Sequence, residues 1–411
     1  MQKPLKIYGF FALYIGLIVI GFLFNEFVFH DIYTHPENLN PLINSIAQTS
    51  LTFVYGNVFS TSIPTEYLVF SLIVTQLSGI VFLSYLLWLC WKLYNSNSSD
   101  VGFRDAIKLT VIVSFAVELI LVLFFLYTVP GQQTENNYLN KIFVAIFLSV
   151  NSFNNAGLSH IQHLLKPELI EQNYILQIGL IFGMTMGSLG IFVINELFST
   201  KQLRQRLYRP EIDWSLITKV SVFGTIFTLG FFSVIFYYLE NNNYLAEKNF
   251  IESSIASVYK ISNARGFDLF LSKNTELTSS SIVKLLVSFF GAGPFSTGGG
   301  LTLLCLVWSY SLFAKGKSLN SHKKLSIMLT KNLLIYSLIS FNLLTILLII
   351  NDPGEKIWNV IKDQWVVFST NQLIIDMSAN WSGNLLIGFT SIAGRMGFVI
   401  AGFITLRQLH N

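Results

Sequence analysis

The chain has 411 residues, of which 52% are hydrophobic and only 12% are charged. Soluble domains carry about 25% charged residues, so most of this chain is predicted to lie in lipid, as an integral membrane protein. The net charge of +4 is small and gives no indication of a nucleic-acid partner.

Long apolar runs follow one another along the chain, most of them close to the about 20 residues that a helix needs to cross a bilayer. The first run is too long for a signal peptide and lacks a small-residue cleavage site, so we expect a permanent helix. Together with a shorter last run, the pattern predicts about eight crossings. The runs are residues 5–29, 67–91, 107–129, 175–198, 216–239, 282–313, 333–350 and 385–406.

Lysine and arginine residues gather in alternate loops, as the positive-inside rule predicts for the cytoplasmic side. The intervening loops are mixed or acidic and are predicted to be external. We therefore expect the chain in the inner (cytoplasmic) membrane with both termini in the cytoplasm. The basic groups lie at residues 3–6, 92–104, 201–209, 315–324 and 407.

The sequence offers little to support an enzyme. Cys90 and Cys305 lie inside apolar runs, where neither a disulfide nor a metal pair is expected. The six histidines are scattered, and no nucleotide-binding or hydrolase motif falls on a suitable element. We predict no catalytic residues, no cofactor and no resident metal.

Polar stretches near residues 95–106, 199–213 and 314–330 divide the chain into segments with one common plan. A long apolar helix is followed by an external stretch with a short, half-polar run, and then by a second long helix. The short runs are too brief to cross a bilayer, so we predict re-entrant pore helices at 43–54, 141–153, 250–262 and 356–369.

The predicted fold is thus an all-α polytopic membrane protein with four M1–pore helix–M2 pseudo-repeats around a central pore. We place the repeats at residues 1–100, 101–213, 214–325 and 326–411, and expect the second long helix of the third repeat to be broken.

Glycine follows the short run in three of the four segments, at Gly56, Gly157 and Gly266. Four re-entrant segments around one axis can turn their carbonyls toward a dehydrated monovalent cation, and glycine permits the bend that this requires. The alternative at each position is a turn or helix-end glycine with no ion.

A glycine-rich stretch with one proline interrupts the run 282–313 and cannot remain a regular helix cheaply. It is either a packing kink or a movable loop that obstructs a pore beneath the filter. The candidate gate residues are Gly291, Gly293, Gly298, Gly299 and Gly300.

Three charged residues fall at predicted membrane depth, where a charge costs about 3 kcal/mol or more without partners. Two roles are open for Arg395. It is either a structural residue that pairs with an acid or with helix-end carbonyls, or a gating residue that forms an electrostatic barrier below the filter. Glu118 is expected to be a hydrogen-bond acceptor more than an ion site. Arg265 would repel cations in the pore, so we expect it to point behind the filter.

At these residues the sequence resembles the Trk/Ktr/HKT superfamily of potassium transporters, and in particular the bacterial Ktr/Trk membrane subunit. Residues 152–158 resemble the second filter of the family, and residues 291–300 resemble the broken third M2 helix. Glu118 and residues 76–79, 187–190 and 394–397 add weaker matches in the expected order.

The resemblance implies potassium uptake through a carbonyl-lined filter, with or without sodium coupling. It also implies a homodimer and a cytosolic nucleotide-binding regulatory ring on the basic inner loops. Two other classes stay open: a secondary carrier with a midplane substrate site, and a transport-inactive scaffold with a degenerate filter. The implied filter residues are Val54, Tyr55, Gly56, Asn155, Ala156, Gly157, Arg265, Gly266, Asn371 and Gln372.

Three features depart from the family pattern, one of them the absence of the usual lysine shortly after Gly300, which Leu301 and Thr302 follow here. Arg265 stands where a small residue is usual, and Gln372 stands where glycine is expected. Because glutamine lacks glycine's access to positive φ, we expect one imperfect filter wall and only modest discrimination between potassium and sodium.

Overall fold

The structure is a computed structural model, in which the protein forms an all-α fold. Only one pair of three-residue strands interrupts the helices in the part of the chain that it describes. The described residues are 5–28, 41–51, 53–55, 65–94, 102–129, 138–156, 165, 167–208, 214–265, 278–298, 303, 321–351, 354, 356–369, 372–374 and 381–410.

Long helices alternate with short ones along the chain. The strands are β1 (Phe53–Tyr55) and β2 (Gln372–Ile374). The helices are α1 (Leu5–Phe27), α2 (Pro41–Thr49), α3 (Thr65–Tyr94), α4 (Phe103–Thr128), α5 (Tyr138–Asn154), α6 (Pro167–Gln172), α7 (Tyr174–Leu189), α8 (Ile191–Phe198), α9 (Thr200–Tyr208), α10 (Leu216–Glu240), α11 (Phe250–Asn263), α12 (Thr278–Phe290), α13 (Ser321–Asn351), α14 (Ile357–Phe368) and α15 (Trp381–His410).

Among the described residues, six helices are long and apolar enough to cross a membrane: α1, α3, α4, α10, α13 and α15. The bent pair α7 and α8 makes a seventh if it counts as one span. Large apolar side chains such as Ile112, Leu119 and Leu123 on α4 are more than half exposed, as expected for a lipid-facing surface. The run 282–313 lies largely outside the described residues, so an eighth crossing stays a prediction.

Three boundaries differ from the sequence prediction. Residues 175–198 are not one straight helix, because Gly190 adopts a φ of 83° and the axis turns by 102° there. The last crossing is not short, since α15 has 30 residues. The predicted loop 199–213 contains α9, because its Lys, Arg, Gln and Leu residues favour helix although they are polar overall.

Glu196 on α8 connects three elements of this corner, which is predicted to be cytoplasmic. Its Oε1 accepts hydrogen bonds from Arg206 Nη2 at 3.1 Å and from the Ser215 amide at 2.8 Å. Its Oε2 accepts from Ser215 Oγ at 2.6 Å and from Thr218 Oγ1. One buried carboxylate therefore fixes α9 and the start of α10 against α8.

The four short helices α2, α5, α11 and α14 coincide with the four predicted pore helices. They have 9, 17, 14 and 12 residues, and even the longest reaches only about 26 Å at 1.5 Å per residue. Each follows a long helix along the chain and packs against it. The division into four repeats at the stated residues stays a prediction.

Candidate ion pathway

Two of the four short helices end in the same unusual conformation. Leu51, two residues after α2, has a φ of 55°, and Asn155, directly after α5, has a φ of 48°. A left-handed residue costs about 1–2 kcal/mol unless it is glycine, asparagine or aspartate, so packing must hold the turn at Leu51, whereas Asn155 tolerates this φ. In contrast, Ala264 after α11 and Ser369 after α14 have negative φ values of −63° and −74°.

The predicted filter residues of the first and fourth segments lie side by side. Strands β1 and β2 pair in parallel, with Phe53 opposite Gln372 and Val54 opposite Leu373. Tyr55 is the last residue of β1. Gly56, Gly157, Gly266 and Asn371 lie outside the described residues, so the arrangement of a complete filter stays a prediction.

The argument that Gln372 stands at a bend is wrong. Its backbone is extended and belongs to β2, a conformation that glutamine adopts without strain. A glycine is therefore not needed at Gln372, and the expectation of an imperfect wall loses its physical reason. The error came from assuming that the fourth segment needs a glycine where its backbone is extended and paired with the first segment.

Asn155 and Ala156 are buried at the end of the second pore segment. Asn155 Nδ2 donates to Thr297 Oγ1 at 2.7 Å and to the Met184 carbonyl at 3.3 Å. The Asn155 side-chain oxygen is also buried but has no hydrogen-bond partner in the structure. The second segment thus binds the glycine-rich loop through the Asn155 amide nitrogen. The Asn155 side-chain oxygen remains as a buried acceptor without a hydrogen-bond partner.

A spare amide oxygen occurs in each of the other three segments as well. Gln48 in α2, Asn263 at the end of α11 and Gln364 in α14 are buried, and their side-chain oxygens also lack a hydrogen-bond partner. A buried acceptor without a partner costs about 1–3 kcal/mol, so each calls for a water or a cation. Sequence reasoning missed this set, since an amide in a half-polar helix has no motif.

Behind the second segment, Glu118 is a hydrogen-bond acceptor, as predicted. Gln76 Nε2 donates to Glu118 Oε1 at 2.9 Å and to Oε2 at 2.8 Å. Gln76 Oε1 in turn accepts from Asn154 Nδ2 at 2.9 Å. This partly buried chain of hydrogen bonds connects α4 through α3 to the end of α5 and fixes Asn154, the residue that precedes Asn155.

Arg265 is buried and directed at α10 and the glycine-rich loop, while its position behind the filter stays a prediction. Its Nε donates to the Gly291 carbonyl at 3.0 Å and its Nη2 to Thr225 Oγ1 at 3.2 Å. The guanidinium therefore links the third pore segment to the first residue of the loop.

The predicted break in the run 282–313 is confirmed, because α12 ends at Phe290 and residues 291–298 form a buried loop. The loop rests on the broken second helix of the preceding segment. The Gly293 amide donates to the Ser188 carbonyl at 2.8 Å, and the Thr297 amide donates to the Gly187 carbonyl at 3.3 Å. Gly298 packs against Ala292 within the loop, while Gly299 and Gly300 lie outside the described residues.

Arg395 binds helix-end carbonyls, which is one of the two partners foreseen for a structural role. Its Nε and Nη2 donate to the Ser50 and Leu51 carbonyls, both at 2.9 Å. These bonds hold the left-handed turn after α2. No hydrogen bond joins Arg395 to the described loop residues 291–298, and its gating role stays a prediction.

Two glycines of the long helices allow pore-helix carbonyls to approach closely. A methyl group added at Gly187 on α7 would overlap the Phe153 carbonyl, and one at Gly394 on α15 would overlap the Phe368 carbonyl. Phe153 and Phe368 lie at the ends of α5 and α14. A glycine on a long helix thus contacts the carbonyl at the end of a short helix in both the second and the fourth segments.

A cationic cluster on the predicted external side was not foreseen. Lys260 of α11 is buried, lies 3.5 Å from Glu171 Oε1, and stands 4.5 Å above the Tyr244 ring. Lys248 donates to the Glu171 carbonyl at 2.9 Å. Burial lowers the pKa of Lys248, and the neighbouring Lys260 adds to this effect while Glu171 opposes it.

No protein-family model matches the chain, and no curated protein matches it. Among solved structures, the crystal structure of the potassium transporter TrkH from Vibrio parahaemolyticus is similar, with a TM-score of 0.72 and 11% identity. The likeness covers 98% of this chain and 84% of that chain. This confirms the predicted architecture, and the chain has the all-α polytopic membrane fold of TrkH.

Proposed function

We propose that this chain is the pore-forming membrane subunit of a potassium transporter of the Trk/Ktr/HKT superfamily. It takes up potassium across the inner membrane, with both termini in the cytoplasm. The observation that carries the proposal is the likeness to a potassium transporter over 98% of the chain. Because the identity is low, the activity must be supported by the residues themselves.

The spare amide oxygens supply that support. Gln48, Asn155, Asn263 and Gln364 place one buried, unpartnered acceptor in each of the four short segments. A dehydrated cation or its water ligands would satisfy such acceptors. The backbone carbonyls of the filter residues are proposed to coordinate potassium, and sodium coupling, a homodimer and a cytosolic regulatory ring remain part of the proposal.

A secondary carrier is the second candidate, and one observation favours it. Two discontinuous helices meet, since α7 and α8 are bent at Gly190 and the loop after α12 bonds to Ser188. Carriers build midplane sites from paired broken helices. Exchange measurements separate the two classes: internal potassium accelerates uptake by a carrier, while it slows net entry through a pore.

The third class, an inactive scaffold, loses both of its arguments. Arg265 would favour it by lying in the pathway, but its guanidinium is engaged by Gly291 and Thr225. Gln372 would favour the inactive scaffold if the backbone needed a positive φ at this position, but Gln372 has the extended backbone of strand β2.

The test is rescue of a cell that lacks its own potassium uptake. We expect the chain to restore growth at low external potassium and Gly157→Asp to abolish rescue, because a carboxylate side chain would obstruct the predicted second filter. Gly102→Asp is the matched control, since Gly102 is the N-cap of α4, a position that suits aspartate. Rescue that persists in Gly157→Asp at equal membrane levels would place the pathway elsewhere.

A further inference from the structure

The short helix α9 carries an exposed apolar face. Leu203, Leu207 and Tyr208 are 44%, 83% and 76% exposed. At about 100° per residue, these side chains lie on one side of the helix, together with the exposed Arg204. The Arg204 guanidinium carbon stands 5.9 Å from the centre of the Tyr208 ring. A contiguous apolar face of this kind indicates a surface that binds something.

The other side of α9 is fixed to α8. Arg206 is half-buried, its Nη1 donates to the Glu196 carbonyl at 2.9 Å, and its Nη2 donates to Glu196 Oε1 at 3.1 Å. These two bonds hold one side of α9 against α8 and leave the Leu207 side uncovered. The apolar face is therefore presented by a fixed helix.

The Glu196 carboxylate also indicates the depth of α9. It accepts from the Ser215 amide at 2.8 Å and from the Ser215 hydroxyl at 2.6 Å. Ser215 is the N-cap of α10, a helix long and apolar enough to span the membrane. Trp214 directly precedes it, and tryptophan is enriched at the membrane–water interface. The end of α9 thus lies beside the predicted entry of α10 into the bilayer, at headgroup level.

The charge of this segment is entirely positive. Residues 200–210 contain no aspartate or glutamate, and their basic residues are Lys201, Arg204, Arg206 and Arg209. Basic residues beside an apolar face are typical of a helix that lies in the membrane interface, and they are attracted to anionic lipids.

We propose that α9 is an interfacial helix that inserts its Leu203 and Leu207 face into the lipid and binds anionic phospholipid headgroups through Arg204 and its basic neighbours. The depth of α9 and its excess of cations favour lipid over a cytosolic protein as the occupant of this face. The inference goes beyond the proposed transport function and does not depend on it.

The first measurement locates the apolar face of α9 in the full-length protein. Single spin labels are attached at Leu203→Cys, Leu207→Cys and Gln205→Cys, in a chain whose Cys90 and Cys305 are replaced by alanine. Gln205 is the matched control, because it is exposed but points to the other side of α9 from Leu203. In phosphatidylglycerol nanodiscs we expect the labels at 203 and 207 to be open to oxygen and closed to a water-soluble nickel complex, and the label at 205 to be open to both. Labels at 203 and 207 that are as open to the nickel complex as the label at 205 would refute the insertion. Closure of these labels only after a second protein is added would also overturn the proposal.

The second measurement uses the unaltered chain and identifies the lipid. Because one basic residue near an anionic surface is worth about fivefold in binding, we expect trypsin to cleave after Arg204 at least about fivefold more slowly in phosphatidylglycerol nanodiscs than in phosphatidylcholine nanodiscs. Leu207→Gln removes an apolar anchor and should largely abolish this protection. Cleavage after Lys324, an exposed residue at the start of α13, corrects for any effect of lipid charge on the protease. Equal protection in both lipids would refute the anionic headgroup site. Protection by inorganic phosphate in phosphatidylcholine nanodiscs would assign a soluble anion instead.

Discussion

The close approach of α7 to the second pore segment predicts that Gly187→Ala damages both stability and transport. A methyl group at this position would lie 2.6 Å from Asn155 Nδ2 and 2.9 Å from the Phe153 carbonyl carbon, and would overlap the Phe153 oxygen. Contacts under 3.0 Å are essentially never tolerated by a real Cβ. The main obstacle is backbone, which cannot rotate out of the way as a side chain can.

The magnitude follows from two opposing terms. Overpacking costs about 1–3 kcal/mol and sometimes more, and a backbone obstacle belongs at the upper end. Replacing a helical glycine with alanine returns about 1 kcal/mol of helix propensity. We therefore expect a net loss of about 2 kcal/mol, together with displacement of Phe153 and the adjoining Asn155.

Thermal unfolding of the detergent-solubilised protein and potassium rescue are the two readouts. Gly230→Ala is the control, because Gly230 lies in α10 with nothing within 4 Å of an added methyl group and should be neutral or slightly stabilised. Gly394→Ala should behave like Gly187→Ala, since its methyl group would lie 2.7 Å from the Phe368 carbonyl carbon. Equal melting temperatures and full rescue for Gly187→Ala and Gly230→Ala would refute this reasoning.

Two further predictions concern the partners of the pore segments. Arg395→Met removes the guanidinium that donates to the Ser50 and Leu51 carbonyls, so we expect a loss of about 2 kcal/mol of stability, seen as a lower melting temperature. An unchanged melting temperature would show that the turn after α2 needs no guanidinium. Asn155→Gly and Thr297→Val each remove one partner of the 2.7 Å hydrogen bond between Asn155 and Thr297, and Asn155→Gly preserves the left-handed turn. We expect a double-mutant cycle on potassium flux to give a coupling of about 1 kcal/mol, or roughly fivefold. Strictly additive effects would mean that this bond does not couple the predicted filter to the loop.

Local signals in the sequence located the helices well. Hydropathy and length placed the second pore helix at 141–153, against Tyr138–Asn154 in the structure. The glycines and the proline after Phe290 also placed the break in the third segment, because several glycines together with a proline make a continuous helix costly. Each of these features depends on a few neighbouring residues.

The features that the sequence did not reveal are contacts between distant residues. Asn155 and Thr297 are 142 positions apart, and the local sequence around neither residue indicates that their side chains are hydrogen-bonded. The extended backbone of Gln372 depends on its partner Phe53, so a local comparison of the four segments gave the wrong conformation. The bend at Gly190 was missed because one glycine in an apolar helix is usually tolerated.

The pairing of β1 with β2 has a consequence for how the protein is assembled. Phe53 and Gln372 stand opposite each other near the two ends of the chain, and Ser50 is likewise joined to Ser391 at a separation of 341 residues. Chains are made from the N-terminus at about 5–20 residues per second, so the first pore segment must wait until the last one is synthesised. During that interval its polar backbone lacks its strand partner, a costly state at membrane depth. The pairing of β1 with β2 is therefore a late step of biogenesis, and we expect a chain cut short before β2 to be degraded rather than to accumulate as a shorter protein.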